Sequence, residues 1–375
     1  MRFEETDKIQ YGSRIVRPIY NKDGVLLYGS GTKVDAQVLV QLKKLDVFGI
    51  YLLDEQEAPI DLTDEEIQFE SFQTMQAYVV EEILREVFKD DNAPKKLDEF
   101  SEMLVRRFGY TKAPIYFNQS LRSKEDYLSK HALDVAMLTA LITGKLNRAD
   151  LKERIYLVQA ALFYDIGRYL APRDLVTKTG ALTGEELKTV RAAMQQGYAL
   201  VKSNYKYPAG VRRYLIQLSK DLEIRLKEQE GGEHEDQELL EGTKILKVAS
   251  MYDTLTAVRP YRRPQSPFSA YKYLLGEYRE YDEKVVEALG ESIHILPSGS
   301  YVQLTNGEQG IVIRENPKAL QRPTVLGFET NTIYDLSINS VYQRLRVEDT
   351  VFTPDNRPKV QQELANQVIQ QMGVK

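Results

Sequence analysis

Between about residue 108 and residue 290 the sequence repeats one pattern, apolar residues at helical spacing interrupted by short polar breaks. The breaks, such as "LITGKLNRAD", "LAPRD" and "TKTGALTGEE", are short enough that the helices they join must pack as neighbours. The segment is expected to hold five or more helices, which makes the fold class mainly α.

The flanks read differently. Residues 1–60 suggest a small N-terminal α/β module: "SRIVRPIY" and "GVLLY" flank the hairpin signal "NKDG", and "DAQVLVQLKKLDVFGIYLL" offers a short helix followed by a strand. Residues 61–107 carry long helical periodicity, with "DDNAPKK" as a break, and are expected to act as a helical connector to the domain at 108–293. Within that domain, residues 221–243 contain nine acidic residues, two basic ones and a Gly-Gly pair, the composition of an exposed, mobile loop. Residues 294–355 change to alternating strands around an Asn-Gly turn, "SYVQLTNGEQGIVIREN", so a small C-terminal β-subdomain is expected. The amphipathic tail, 356–375, reads as helical.

Charge and composition limit the chemistry. Fifty Lys and Arg against 55 Asp and Glu give a net charge of −5, which argues against a nucleic-acid partner. No window approaches the roughly 18 apolar residues of a membrane span, and "MRFEETDKIQ" has no apolar core for a signal peptide, so no membrane insertion and a cytoplasmic location are expected. With no cysteine, thiolate metal sites and thiol nucleophiles are excluded. Only His131, His234 and His294 remain as imidazoles, a small supply for transition-metal hydrolysis.

Four ordered blocks, "KHALDVAMLTALI", "AALFYDIGRYLAPRDLVTKTGALTGEEL", "ILKVASMYDTLTAVRPYR" and "HILPSGSYVQLTNGEQGIVIRENPKALQRPTVL", resemble an HD-GYP domain, a branch of the HD phosphohydrolases. The resemblance runs from about residue 127 to 330, and residues 11–54 resemble a small module found ahead of some such domains. It implies a multi-helix HD-type domain. Active members of the family hydrolyse cyclic di-GMP with two or three metal ions, commonly iron or manganese. Two metals supply a hydroxide and absorb phosphoryl charge, an Asp beside a His bridges them, and a lysine one turn on holds the phosphate.

Matched to that pattern, His131, Asp165 and Asp253 stand at retained metal-ligand positions. Tyr164 replaces the histidine of the His-Asp pair, Arg168 replaces the lysine, and Met194 stands where a His-Pro pair usually follows. The later histidine pair falls near Ser219 and Lys220, and the Gly-Tyr-Pro segment is absent. The resemblance is therefore to a degenerate member. Tyrosine can ligate iron as a phenolate, and Arg168 offers phosphate a planar, bidentate fork. Arg259, Tyr261, Arg262 and Arg263 form a basic cluster, suited either to gripping a nucleotide or to capping helices and pairing with carboxylates. His131, Asp165 and Asp253 have structural readings too, as a hydrogen-bonded core histidine, an ion-pair partner of Arg168 and the organiser of a turn. His294 is expected to pack or cap.

The leading expectation is a catalytically inactive HD-GYP-like regulatory or scaffold protein in bacterial signalling, acting through protein partners and needing no cofactor. Two alternatives stay open. One is a receptor for cyclic di-GMP or another nucleotide, using Arg168 and the cluster from Arg259 to Arg263. The other is a residual phosphodiesterase using Mn or Fe at His131, Asp165 and Asp253, with Tyr164 as a further candidate ligand. The partner, a homodimer, and a ligand role for residues 221–243 are left undecided by the sequence.

Overall fold

A computed structural model describes residues 2–21, 23–53, 63–89, 93–146, 150–178, 180–229, 231–232, 237–259, 264–277 and 280–351. The chain is mainly α, with small sheets towards each end. The N-terminal module runs through β1 (Arg2–Glu5), β2 (Arg14–Ile15), β3 (Ile19–Tyr20), β4 (Leu26–Tyr28), α1 (Ala36–Lys44) and β5 (Gly49–Leu53). β5 lies between β1 and β2, antiparallel to both, while β3 and β4 pair as the hairpin that "NKDG" announces. Asn21 makes that turn by accepting the backbone N–H groups of Asp23 and Val25. Asp35 caps α1 through the Val38 N–H, and Ile15, Val38, Leu42, Ile50 and Leu52 close a separate small core.

α2 (Asp64–Glu86) starts at a reciprocal capping box between Thr63 and Glu66, and α3 (Leu97–Phe108) follows. Both were expected to connect domains. Instead, Phe72, Val80, Ile83 and Leu84 of α2 and Phe100 and Leu104 of α3 belong to the main apolar cluster, because each helix carries a full stripe of large apolar residues.

The helical domain continues through α4 (Tyr127–Leu146), α5 (Leu151–Leu162), a 3-10 turn at Ile166–Tyr169, α6 (Arg173–Val176), α7 (Gly184–Lys202), α8 (Ala209–Gln229), α9 (Glu241–Thr256), α10 (Pro267–Gly276) and α11 (Glu283–Ser292). α4 is buried on nearly all faces, as a helix apolar all round must be, and packs against α2, α3, α5, α9 and α11. The 3-10 turn is pressed onto α7 at two glycines. A Cβ on Gly197 would stand 2.3 Å from the Gly167 Cα, so neither position has room for a side chain.

The acidic segment expected as a loop is corrected in its first part. Residues 221–229 extend α8, with Ile224 buried and Asp221 paired to Arg225 one turn on at 2.9 Å. Counting charge hid an amphipathic helix whose acids are its solvent face and its ion-pair partners. His234 lies outside the described residues.

The C-terminal subdomain holds β6 (Tyr301–Leu304), β7 (Gln309–Arg314), β8 (Thr324–Gly327), β9 (Ile333–Asp335), α12 (Asn339–Tyr342) and β10 (Val347–Thr350) in one antiparallel sheet of strand order β10-β6-β7-β8-β9. Gly307, at φ 88°, closes the β6–β7 turn. His294 stacks on Tyr116, ring centroids 4.2 Å apart, and its Nδ1 lies 3.1 Å from Glu315. The expected helical tail 356–375 lies outside the described residues. Among the described residues no helix is long and apolar enough to cross a membrane.

Candidate functional site

The retained positions meet in the middle of the helical domain. His131 comes from the first turns of α4, Asp253 from α9, and Asp165 from the turn after α5. Ser123 and Asp126 fix the entry to α4 by bonding each other's backbone N–H groups, which orients His131 inward. His131 Nδ1 donates to Asp253 Oδ2 at 2.5 Å, and its Nε2 lies 3.5 Å from both Asp165 Oδ2 and the Ser250 hydroxyl.

Three guanidiniums surround these groups. Arg122, wholly buried, donates through Nη2 to Asp253 Oδ1 at 2.5 Å and to Asp134 Oδ2 at 2.9 Å. Arg168 Nε lies 2.6 Å from Asp165 Oδ2. Arg259, also buried, puts Nη2 3.2 Å from His131 Nδ1 and 3.8 Å from Asp253, and donates to Thr254. Arg259 is thus an interior residue and not the surface partner that one reading of the basic cluster expected. Tyr261, Arg262 and Arg263 lie outside the described residues.

Arg122 and Asp134 were not singled out in the sequence, although a signal was present. Asp134 sits three residues after His131 within the apolar run of α4, and a buried acid requires a cationic or hydrogen-bonding partner. Gln73 of α2 supplies a second one, donating to Asp134 Oδ1 at 3.0 Å. Nothing in the stretch around Arg122 marks it as that cation, because its partners lie on two separate helices.

The charge states follow from burial set against these contacts. Burial, reinforced by the Asp253 charge and opposed by Arg122, pushes Asp134 up to about 8. Burial would also raise Asp253, but Arg122 and then His131 outweigh it and hold that carboxyl well below the usual range. Asp165 is lowered in the same way, burial being overcome chiefly by Arg168. Burial depresses His131 despite Asp253, so the imidazole is neutral at neutral pH. Burial raises the Tyr164 phenol well above its ordinary value, with Arg225 opposing, so the phenol is neutral at neutral pH.

Met194 is buried on α7, beside the close contact at Gly167, and offers no ligand. Ser219 of α8 bonds Gln195 and Lys202 of α7, each at 2.6 Å. The donor set is therefore two carboxylates and one imidazole, with three of the four carboxylate oxygens already facing guanidinium or imidazole N–H groups. Among the described residues no group of three or more His, Cys, Asp or Glu is arranged to hold a metal ion. The metals that the HD-GYP pattern implies do not fit this donor set. A divalent cation here would face the three arginines at close range, where like charges repel strongly.

The HD domain family model matches residues 116–285, the segment that carries His131, Asp165 and Asp253. Among curated proteins, the chain is 25 % identical over 215 residues to the cyclic di-GMP phosphodiesterase PA4108 of Pseudomonas aeruginosa, covering 56 % of this chain and 49 % of that one. It is 27 % identical over 221 residues to the 3'3'-cGAMP-specific phosphodiesterase 3 of Vibrio cholerae, covering 55 % and 42 %. It is 26 % identical over 158 residues to the cyclic di-GMP phosphodiesterase response regulator RpfG of Xanthomonas campestris, covering 40 % of each chain. The matches thus span about half or less of the length of these relatives. Among solved structures, Bd1817, an HDG"Y"P protein from Bdellovibrio bacteriovorus, aligns over 77 % of this chain and 97 % of its own, at 15 % identity and a TM-score of 0.45.

Proposed function

We propose a catalytically inactive, regulatory or scaffold role in cyclic-dinucleotide signalling for this chain, whose residues 116–285 belong to the HD domain family and are of its HD-GYP type. One observation carries the reading. Arg122 and Arg168 take up the carboxylates that in the family pattern would hold metal ions, Asp253 takes up the imidazole, and Arg259 stands beside both. Fixed positive charge then does the structural part of the metals' work, neutralising buried acids and joining α4 to α9, without their chemistry.

A guanidinium cannot replace the catalytic part. It neither lowers the pKa of a bound water to near neutrality nor offers an open coordination position, so no hydroxide nucleophile is generated. The helical packing does not depend on metal either, since the main apolar cluster is continuous from α2 to the C-terminal sheet. A domain with an intact framework and neutralised acids is suited to presenting surfaces to protein partners.

The test is elemental analysis of the full chain, purified without oxygen and with iron and manganese supplied, together with an assay of cyclic di-GMP hydrolysis. Substoichiometric metal and no turnover are expected. Two tightly held ions per chain, or turnover abolished by Asp165→Asn, would sink the proposal.

A further inference from the structure

A cleft of about 640 Å³ separates the N-terminal module from the helical domain, floored by α2 and walled by the segment before α4 and the segment from the 3-10 turn to α6. It lies within the size range of small-molecule sites, and none of His131, Asp165 and Asp253 lines it. Its charge opposes that of the chain. Seven Lys and Arg line it against four Asp and Glu, on a protein whose net charge is −5.

The pairing inside the cleft sharpens the contrast. Three of the four acids are already matched to lining cations: Glu70 to Arg17, Glu81 to Arg85 and Asp126 to Lys130. Lys44, at the end of α1, and Arg173, at the start of α6, form no salt bridge among the described residues, and both are exposed. They stand on opposite sides of the junction. Two further features point to a ligand. Ser120 lines the cleft, and its buried hydroxyl has no hydrogen-bond partner among the described residues. Tyr20 of the module and Tyr78 of α2 also line it, Tyr78 being 44 % exposed.

We infer that this cleft binds a nucleotide, with Lys44 and Arg173 holding phosphate oxygens from the two sides and the tyrosines offering ring surface to the base. Unpartnered cations from both walls suit a polyanion better than a single charge, and aromatic faces suit a planar base. Arg168, whose Nε faces Asp165, also lines the cleft, but the inference stands apart from the inactive-enzyme reading because Lys44 and Arg173 take no part in that reading and no metal is required. Bridging the junction would tie the module's position to occupancy, a differential contact of the kind that regulation needs.

The experiment is calorimetric titration of the full chain with ATP, GTP, cyclic di-GMP and inorganic phosphate separately, at two salt concentrations. At least one nucleotide is expected to bind with a dissociation constant below about 100 µM, more weakly at higher salt and more tightly than phosphate. The double variant Lys44→Glu/Arg173→Glu should lose at least about tenfold in affinity, whereas the charge-matched control Lys227→Glu/Arg344→Glu should change it less than about twofold. Both pairs lie on the surface, and unchanged circular dichroism and melting temperature confirm folding. The inference is overturned if no nucleotide binds, if phosphate binds as tightly, or if the cleft variant keeps its affinity. Binding followed by hydrolysis would uphold the cleft while removing the inactive-enzyme reading, so the two fail separately.

Discussion

Arg122 and Asp253 meet at 2.5 Å in a place neither side chain shares with solvent, joining the segment before α4 to the last turn of α9. The pair is extended by Asp134 on one side and by His131 on the other, so one guanidinium neutralises the Asp253 carboxylate of α9 while also bonding the Asp134 carboxyl of α4. Such a group is costly to bury and costlier to break, because removing one partner leaves uncompensated charge in the interior.

Arg122→Ala is accordingly expected to destabilise the fold by about 3–5 kcal/mol in urea unfolding. The double variant Arg122→Ala/Asp253→Asn should be less destabilised than the sum of the two single changes, since the second removes the charge that the first has stranded. Simple additivity would mean that the two groups are not coupled.

Much of this fold was legible beforehand because it is written in local pattern. The hairpin at Asn21, the Asn306-Gly307 turn and the apolar run of α4 follow from short-range chemistry, and each is where the sequence puts it. The extension of α8 through residue 229 was hidden, because a tally of acids does not register their spacing around Leu222 and Ile224. The site was half legible. His131, Asp165 and Asp253 are adjacent as their positions in the family pattern imply, but Arg122 contacts residues 12 and 131 positions away, and no window of sequence reveals such a partner.

The contact between Gly167 and Gly197 sets where Tyr164, Asp165 and Arg168 lie, because it presses the 3-10 turn against α7 with backbone meeting backbone. Gly197→Ala is expected to cost about 1–3 kcal/mol by forcing that turn away. The loss should appear in thermal or denaturant unfolding. A neutral outcome would show that the turn can shift freely and that the geometry at Asp165 is not held from this side.

If fixed guanidiniums have taken over the neutralising role of metal ions, metal should add nothing to stability. A ligand present at about a hundred times its dissociation constant stabilises the native state by about 2.7 kcal/mol, which a thermal scan registers as a clear upward shift. Millimolar Mn²⁺ or anaerobic Fe²⁺ is expected to leave the melting temperature unchanged, as is EDTA. A rise with metal that Asp165→Asn abolishes would assign a working metal site to these residues.

The buried acids also predict an opposed dependence on pH. Asp134 is raised to about 8, so the native state keeps a proton that the unfolded chain has released, and its contribution to stability fades as pH rises from about 4 to about 8. Asp253 and Asp165 are lowered, so their contributions are present above about pH 4 and are lost in acid. His131, also lowered, is held neutral in the native state, and stability falls as pH drops below about 6.5, where the unfolded imidazole takes up a proton. Asp134→Asn removes only the first of these. Its unfolding free energy relative to the unsubstituted protein should therefore improve steadily from about pH 5 to about pH 8, with a slope no steeper than about 1.4 kcal/mol per unit. Urea titrations of both proteins across that range measure the difference directly. A difference flat in pH would mean that Asp134 is ionised throughout and that Arg122 alone compensates both of its acids.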